Sequence, residues 1–321
     1  MAAHLLTPRM AGVLDRIRRA QRPPFHAMTP VQARAAYTSA SEVLDLPRAP
    51  LARVVNLLLP GGDGLPRPAR LYAARPRSAV AALPLLLYFH GGGFVVGNLE
   101  THDSLCRQLA LRSGGAVVAL DYRLAPEHPF PAAWDDAWAA LQALRAQGPA
   151  LGLDPGRMAV GGDSAGGTLA AATALRARDE GVELALQLLI TPGIGDRADS
   201  GSRRLFANGF LIDAATVQWF FDHTIPRHQR HDPRFAPGEA AEHEGLCPAL
   251  LLLAECDPVV DDGIGYADRL RLARVPVDLE IYRGVTHDFM KMGRVLPEAL
   301  QALDRAAAAL QSAWNPGGDP P

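Results

Sequence analysis

The strongest restriction on this chain's fold is a set of short, wholly apolar runs that alternate with helical patterns. LPLLLYFH (83–90) ends in three glycines, and AVVALDYR (116–123) precedes a Pro-rich loop and the helical stretch WDDAWAALQALRAQ. RMAVGGDS (157–164) passes at once into the helical pattern GGTLAAATALRARDEG. ARVVNLLLP, ARLYAA, ALQLLIT, PALLLLAE and VDLEIYRG add further strand patterns. Strands that are apolar on both faces need cover on both sides, and helices flanking a parallel sheet supply it. The expected class is α/β, with a mostly parallel central sheet and helices on both faces.

At 321 residues the chain is long enough for one such unit and an insertion. Strand patterns lapse at 193–243, where Phe206, Phe210, Trp219, Phe220 and Phe221 gather. Asp213 reads there as the cap of a helix, AATVQWFFDH. Near the start, Met10, Val13, Leu14 and Ile17 recur at helical spacing among arginines. Thr29-Pro30 reads as an N-cap and first-turn proline, opening a helix toward Leu44. The C-terminal NPGGDPP reads as a frayed tail.

Charge and cysteine content narrow the partners. The formal net charge is -2, which gives no basis for nucleic-acid binding. No uncharged apolar run reaches about 18 residues, so no membrane insertion is expected. Three cysteines (Cys106, Cys247, Cys256), widely spaced and odd in number, predict no disulfide framework. With no apolar leader at the N-terminus, that points to a reducing, cytoplasmic setting.

The chemistry centres on Gly162-Asp163-Ser164-Ala165-Gly166, a G-x-S-x-G motif between a strand and a helix. A strand turning directly into a helix exposes the turning side chain, and the helix N-terminus favours developing negative charge. A phosphate-binding turn is the rival reading, but no G-x-x-x-x-G-K-[ST] is present. Serine needs a base, and His287 follows the last strand pattern in GVTHDF. The base needs an acid; Asp257, Asp261 and Asp262 follow PALLLLAE, and Asp257 comes first after the strand. Position alone leaves Asp261 in competition. His90-Gly91-Gly92-Gly93-Phe94 directly follows the run at 83–89, so the Gly91 and Gly92 amides, with that of Ala165, are the expected oxyanion donors.

HGGGF (90–94), DYRLAPEHPFPAA (121–133), GDSAGG (162–167), DPVVDD (257–262) and THDF (286–289) stand in the order of the bacterial hormone-sensitive-lipase-like (family IV) esterases. The chain resembles that family, in its GDSAG subgroup, from about residue 80 to 290. Intervals of 73 residues from Gly91 to Ser164, 93 to Asp257 and 30 to His287 fit as well. The acid motif departs mildly, with Val259 and Asp262 where the family usually has Leu and the second residue of an Asp-Glu pair. The resemblance implies an α/β-hydrolase fold, Asp257 as triad acid, and hydrolysis of short-to-medium acyl esters through an acyl-enzyme. It also implies a helical cap made of residues 1–45 and 193–243 on a catalytic core of 46–192 and 244–315. Phe94, Asp163, Phe210, Trp219 and Phe220 are then the expected substrate contacts. The family often pairs as dimers through the last strand's edge, which leaves a homodimer open.

Other chemistries share this machinery. Amide or carbamate hydrolysis and acyl transfer need the same groups. Plant gibberellin receptors resemble the family but lack the catalytic histidine, so His287 argues for an enzyme. His223, His228, His231 and Asp232 are metal-ligand types, but their spacing fits no standard site. No metal and no cofactor is expected. The DYRLAPEHPFPAA segment reads as a rigid supporting loop, with no functional role for Glu127 or His128.

Overall fold

The computed structural model describes residues 2–78, 81–195 and 200–315. The expected tail beyond Asn315 lies outside the described residues, as do four residues of the expected insertion.

In chain order the elements are α1 (Pro8–Arg19), α2 (Pro30–Ala40), β1 (Arg53–Pro60), β2 (Pro66–Ala73), β3 (Leu83–Phe89), α3 (Asp103–Ser113), β4 (Ala116–Leu120) and α4 (Ala132–Gln147). Then follow β5 (Leu153–Asp163), α5 (Ala165–Asp179), β6 (Gln187–Ile190), α6 (Gly201–Leu205), α7 (Ala214–Thr224), β7 (Ala249–Cys256), α8 (Val260–Leu272), β8 (Val277–Thr286) and α9 (Pro297–Trp314). The strands form one sheet in the order β1-β2-β4-β3-β5-β6-β7-β8. β2 runs antiparallel to both β1 and β4, and every other pairing is parallel.

Alternate side chains of the central strands enter two separate cores, because successive residues of a strand point to opposite faces. Leu85, Leu87 and Phe89 of β3 join Leu141 of α4, Leu169 of α5 and Leu270 of α8. Leu86 and Tyr88 join Leu109 of α3 and Leu303 of α9 on the other face. This is the doubly covered sheet that the apolar runs predict. From β3 the chain moves to β4 on one side, then crosses back to β5 on the other. Ligand crevices of open parallel sheets form outside the strand C-termini at such a reversal.

Local signals place the outlying helices. Thr7 Oγ1 accepts from Met10 N at the start of α1, and Met10 and Val13 are its buried residues. Thr29 and Gln32 form a reciprocal capping box at the start of α2. α2 ends at Ala40, short of Leu44, because the chain is drawn inward there. Leu44 O accepts from Arg294 N (3.1 Å), and Leu44 and Leu46 pack on the second core. Asp213 Oδ1 accepts from Thr216 N (2.7 Å) and caps α7 as expected. Among the described residues no helix is long and apolar enough to cross a membrane.

Candidate active site

The site lies at the C-terminal ends of β3, β5, β7 and β8. Ser164 stands between β5 and α5 with φ 51° and ψ -120°, outside the ordinary allowed regions. The turn is possible only with glycine on either side. A Cβ on Gly162 would come within 2.4 Å of Gly166 and of Phe89 O, and one on Gly166 within 1.9 Å of Phe89 O. The serine is consequently lifted clear of the strand and stays partly exposed.

His287 follows β8 and Asp257 follows β7, and both are buried. His287 Nδ1 is 2.7 Å from Asp257 Oδ2, and Nε2 is 2.8 Å from Ser164 Oγ. A carboxylate only accepts, so Nδ1 carries the hydrogen and donates it. In the neutral ring Nε2 is then the acceptor of the serine hydroxyl. Asp257 Oδ1 also accepts from Val259 N (3.0 Å), which fixes the carboxylate. Burial disfavours a charged imidazole, yet the Asp257 carboxylate outweighs it and raises the His287 pKa above the ordinary histidine value. Asp261, the competing acid, faces elsewhere: its Oδ2 accepts from Ser202 N at the start of α6 (2.8 Å). Beside it, Arg203 reaches Asp262 (2.9 Å).

The glycine loop corrects one expectation. The Gly91 N–H points inward and donates to Asp163 Oδ1 (3.1 Å), so it is not available to a substrate oxyanion. The Gly92, Gly93 and Ala165 N–H groups make no hydrogen bond among the described residues. A run of three glycines does not itself reveal which amides face the serine. Gly93 has φ 59°, and a Cβ there would lie 2.2 Å from the Phe220 ring.

Asp163 and Phe94 are likewise not where a substrate contact would be. Asp163 is 2% exposed and accepts from Tyr88 Oη (2.6 Å), Gly91 N and His102 Nε2 (3.0 Å). Burial opposes its charge, but His102, Lys291 and the Tyr88 hydroxyl hold its carboxyl well below the usual range. His90, beside His102, is pushed down to about 3 by burial and by that neighbouring ring. Asp163 therefore braces the loop from behind. Phe94, at φ 63°, turns into the core against Trp134 and Phe235, with ring centroids 4.7 and 6.0 Å away.

The aromatic residues of 206–221 divide. Phe220 on α7 packs over the glycine loop with Val95, Val96, Ala125 and Ala33 of α2, and Trp219 packs against that group. Phe210 meets Phe206 edge-on at 5.0 Å, at the border of the first core. Arg34 of α2 donates to Val95 O and Ala125 O (2.8 Å each) and pairs with Glu127. The Pro-rich segment thus ties α2 to the glycine loop. His223 Nδ1 lies 2.8 Å from Trp219 O, and Asp232 pairs with Arg234. Among the described residues no three His, Cys, Asp or Glu side chains are grouped as metal ligands.

The chain is similar to known esterases. A family model described as alpha/beta hydrolase fold matches residues 86–291. The chain is 41% identical over 292 residues to ethyl acetate hydrolase of Pseudomonas putida, covering 90% of this chain and 92% of that protein. It is 41% identical over 273 residues to esterase LipI of Mycobacterium tuberculosis, covering 83% and 85%. A solved ester hydrolase from the metagenome of Lake Arreo, complexed with a derivative of bipyridine phosphonate, superposes with a TM-score of 0.91 at 39% identity, covering 96% of this chain and 98% of that one. A hyperthermophilic esterase of Pyrobaculum calidifontis gives 0.90 at 36% identity, with the same coverage.

Proposed function

This chain belongs to the alpha/beta hydrolase fold family and is a carboxylesterase of the hormone-sensitive-lipase-like kind, and we propose that Ser164, His287 and Asp257 carry its reaction through an acyl-enzyme. The observation behind this reading is the continuous chain of hydrogen bonds from Ser164 Oγ through His287 to Asp257.

In acylation Ser164 Oγ attacks the ester carbonyl carbon while its proton passes to His287 Nε2. The carbonyl oxygen becomes an oxyanion, held by the Gly92, Gly93 and Ala165 N–H groups. The bond to the alkoxy oxygen then breaks, and His287 returns the proton to the departing alcohol. Water repeats the sequence on the acyl-enzyme and releases the acid. Asp257 holds the tautomer and favours the imidazolium that forms twice per turnover.

The substrates proposed are short-to-medium acyl esters. Residues 1–45 and 193–243 form a cap in this reading, with Phe220 and Trp219 of α7 bordering the acyl side. Close packing of Phe220 on the glycine loop supports a small acyl group. So does the similarity to a protein named for ethyl acetate hydrolysis. Hydrolysis of p-nitrophenyl esters from acetate to decanoate by wild type and Ser164→Ala tests it. The expected result is a preference for short chains in the wild type and at least a 10³-fold loss in the variant. Equal rates for the two proteins would remove Ser164 from the mechanism.

A further inference from the structure

Asp288 directly follows the histidine base and is left over by the mechanism above. It adopts a left-handed conformation (φ 58°, ψ 14°), which turns its side chain back toward the imidazole. Its Oδ1 lies 3.8 Å from His287 Nε2, the nitrogen facing Ser164 rather than the one facing Asp257. That oxygen is buried and has no hydrogen-bond partner among the described residues. The backbone around it is tied down, since Asp288 O accepts from Lys291 N (3.0 Å). Lys291 in turn donates to Tyr37 Oη (3.0 Å). The side chain as a whole is 20% exposed, so solvent reaches it, and Oδ1 can accept a hydrogen bond from a molecule held beside His287 Nε2.

We infer that Asp288 positions the water that hydrolyses the acyl-enzyme, an inference that rests on the triad reading above. In the acyl-enzyme Ser164 Oγ no longer has a hydrogen, so His287 Nε2 is open to a new donor. A water about 2.8 Å from both Nε2 and Asp288 Oδ1 subtends roughly 85° between them, close enough to its own H–O–H angle for two bent hydrogen bonds. Both hydrogens are then engaged and a lone pair is left to face the acyl carbon. The water oxygen bonds to that carbon as one proton goes to Nε2. The tetrahedral intermediate collapses with cleavage of the bond to Ser164 Oγ, the proton passes from Nε2 to Oγ, and the carboxylic acid leaves. The second hydrogen stays on the water oxygen, donated to Asp288 Oδ1, and remains on that oxygen in the acid product. An alcohol has one O–H, which must go to Nε2, so it draws nothing from Asp288. The residue therefore favours water over alcohols as the acyl acceptor.

The test compares wild type with Asp288→Gly and Asp288→Asn, both compatible with a positive φ. Each is given p-nitrophenyl acetate with a fixed concentration of 1-butanol. Butyl acetate and acetate are quantified, and the acetylated fraction of Ser164 is read by mass after rapid quenching. In Asp288→Gly the ratio of butyl acetate to acetate is expected to rise about five- to ten-fold, with more acetylated Ser164 at steady state. Asp288→Asn, which keeps an acceptor oxygen but no charge, is expected between the two. An unchanged product ratio overturns the inference, even if overall rates fall or the acid limb of the pH profile moves. If Ser164→Ala hydrolyses p-nitrophenyl acetate at the wild-type rate, the triad reading itself fails, and this inference fails with it.

Discussion

Replacing Asp163 with alanine separates a bracing role from a substrate contact. The carboxylate is 2% exposed and receives three hydrogen bonds, from Tyr88 Oη, Gly91 N and His102. Alanine leaves those three donors buried without an acceptor. At about 1–3 kcal/mol for each stranded group, and with incomplete additivity, the loss is about 3–6 kcal/mol. For a chain of this size that corresponds to a fall in Tm of about 4–9 °C. Freed from Asp163, the glycine loop loses the tether beside the Gly92 and Gly93 amides proposed to hold the oxyanion. Displacement of such donors by about 1 Å lowers kcat by roughly 100-fold. KM is expected to stay within about three-fold, because the lost interaction acts on the transition state. Asp163→Asn, which retains an acceptor oxygen, should recover part of both losses. Thermal unfolding and p-nitrophenyl acetate kinetics on the three proteins decide the matter. A raised KM with an unchanged Tm would refute the bracing role and return Asp163 to the substrate pocket.

Further outcomes follow from the same geometry. Gly93→Ala drives a Cβ to 2.2 Å from the Phe220 ring at φ 59°, so kcat should fall by about 100-fold or more, and adding Phe220→Ala should restore part of it in steady-state assays. Asp257→Asn removes the carboxylate that raises the His287 pKa. Only the neutral imidazole acts as base, so it is active above its pKa, and the acid limb of kcat/KM should move to lower pH while kcat falls about 10⁴-fold. Asp261→Asn breaks only a contact with α6, and kcat should remain within about three-fold of wild type, measured in the same assay. For stability the raised His287 pKa has the reverse sense. Its contribution is complete below about 6.5, the unfolded value, and declines as pH rises through the folded value, which pH-dependent denaturant titration should show.

The sheet, and the places of Ser164 and His287 at its edge, were legible because their signals are local, whereas the choice of Asp257 over Asp261 came from the family resemblance. The apolar runs of β3, β4, β5, β6 and β7 are buried strands, and these strands run parallel, so the residues after them fall at one edge of the sheet. The capping residues Thr29 and Asp213 act through neighbours three residues away, and both were readable. What could not be read is direction. Nothing in HGGGF says that the Gly91 N–H donates back to Asp163 while that of Gly93 makes no hydrogen bond among the described residues, because that choice follows from a carboxylate 72 residues away. Phe94 looks like a pocket aromatic until its positive φ turns it into the core. Asp288 lies within THDF, but that motif assigns it no role, and its interest arises from the 3.8 Å to His287 Nε2 and from its Oδ1, unpartnered among the described residues.

The central assignment is that one serine, Ser164, is acylated in every turnover. Stoichiometric labelling with a fluorophosphonate, followed by peptide mass analysis and residual activity on p-nitrophenyl acetate, tests it most directly. One adduct on the peptide containing Ser164, with activity lost in proportion to labelling and no adduct in Ser164→Ala, is the expected result. An adduct elsewhere with Ser164 unmodified, or full activity in the completely labelled protein, would contradict it.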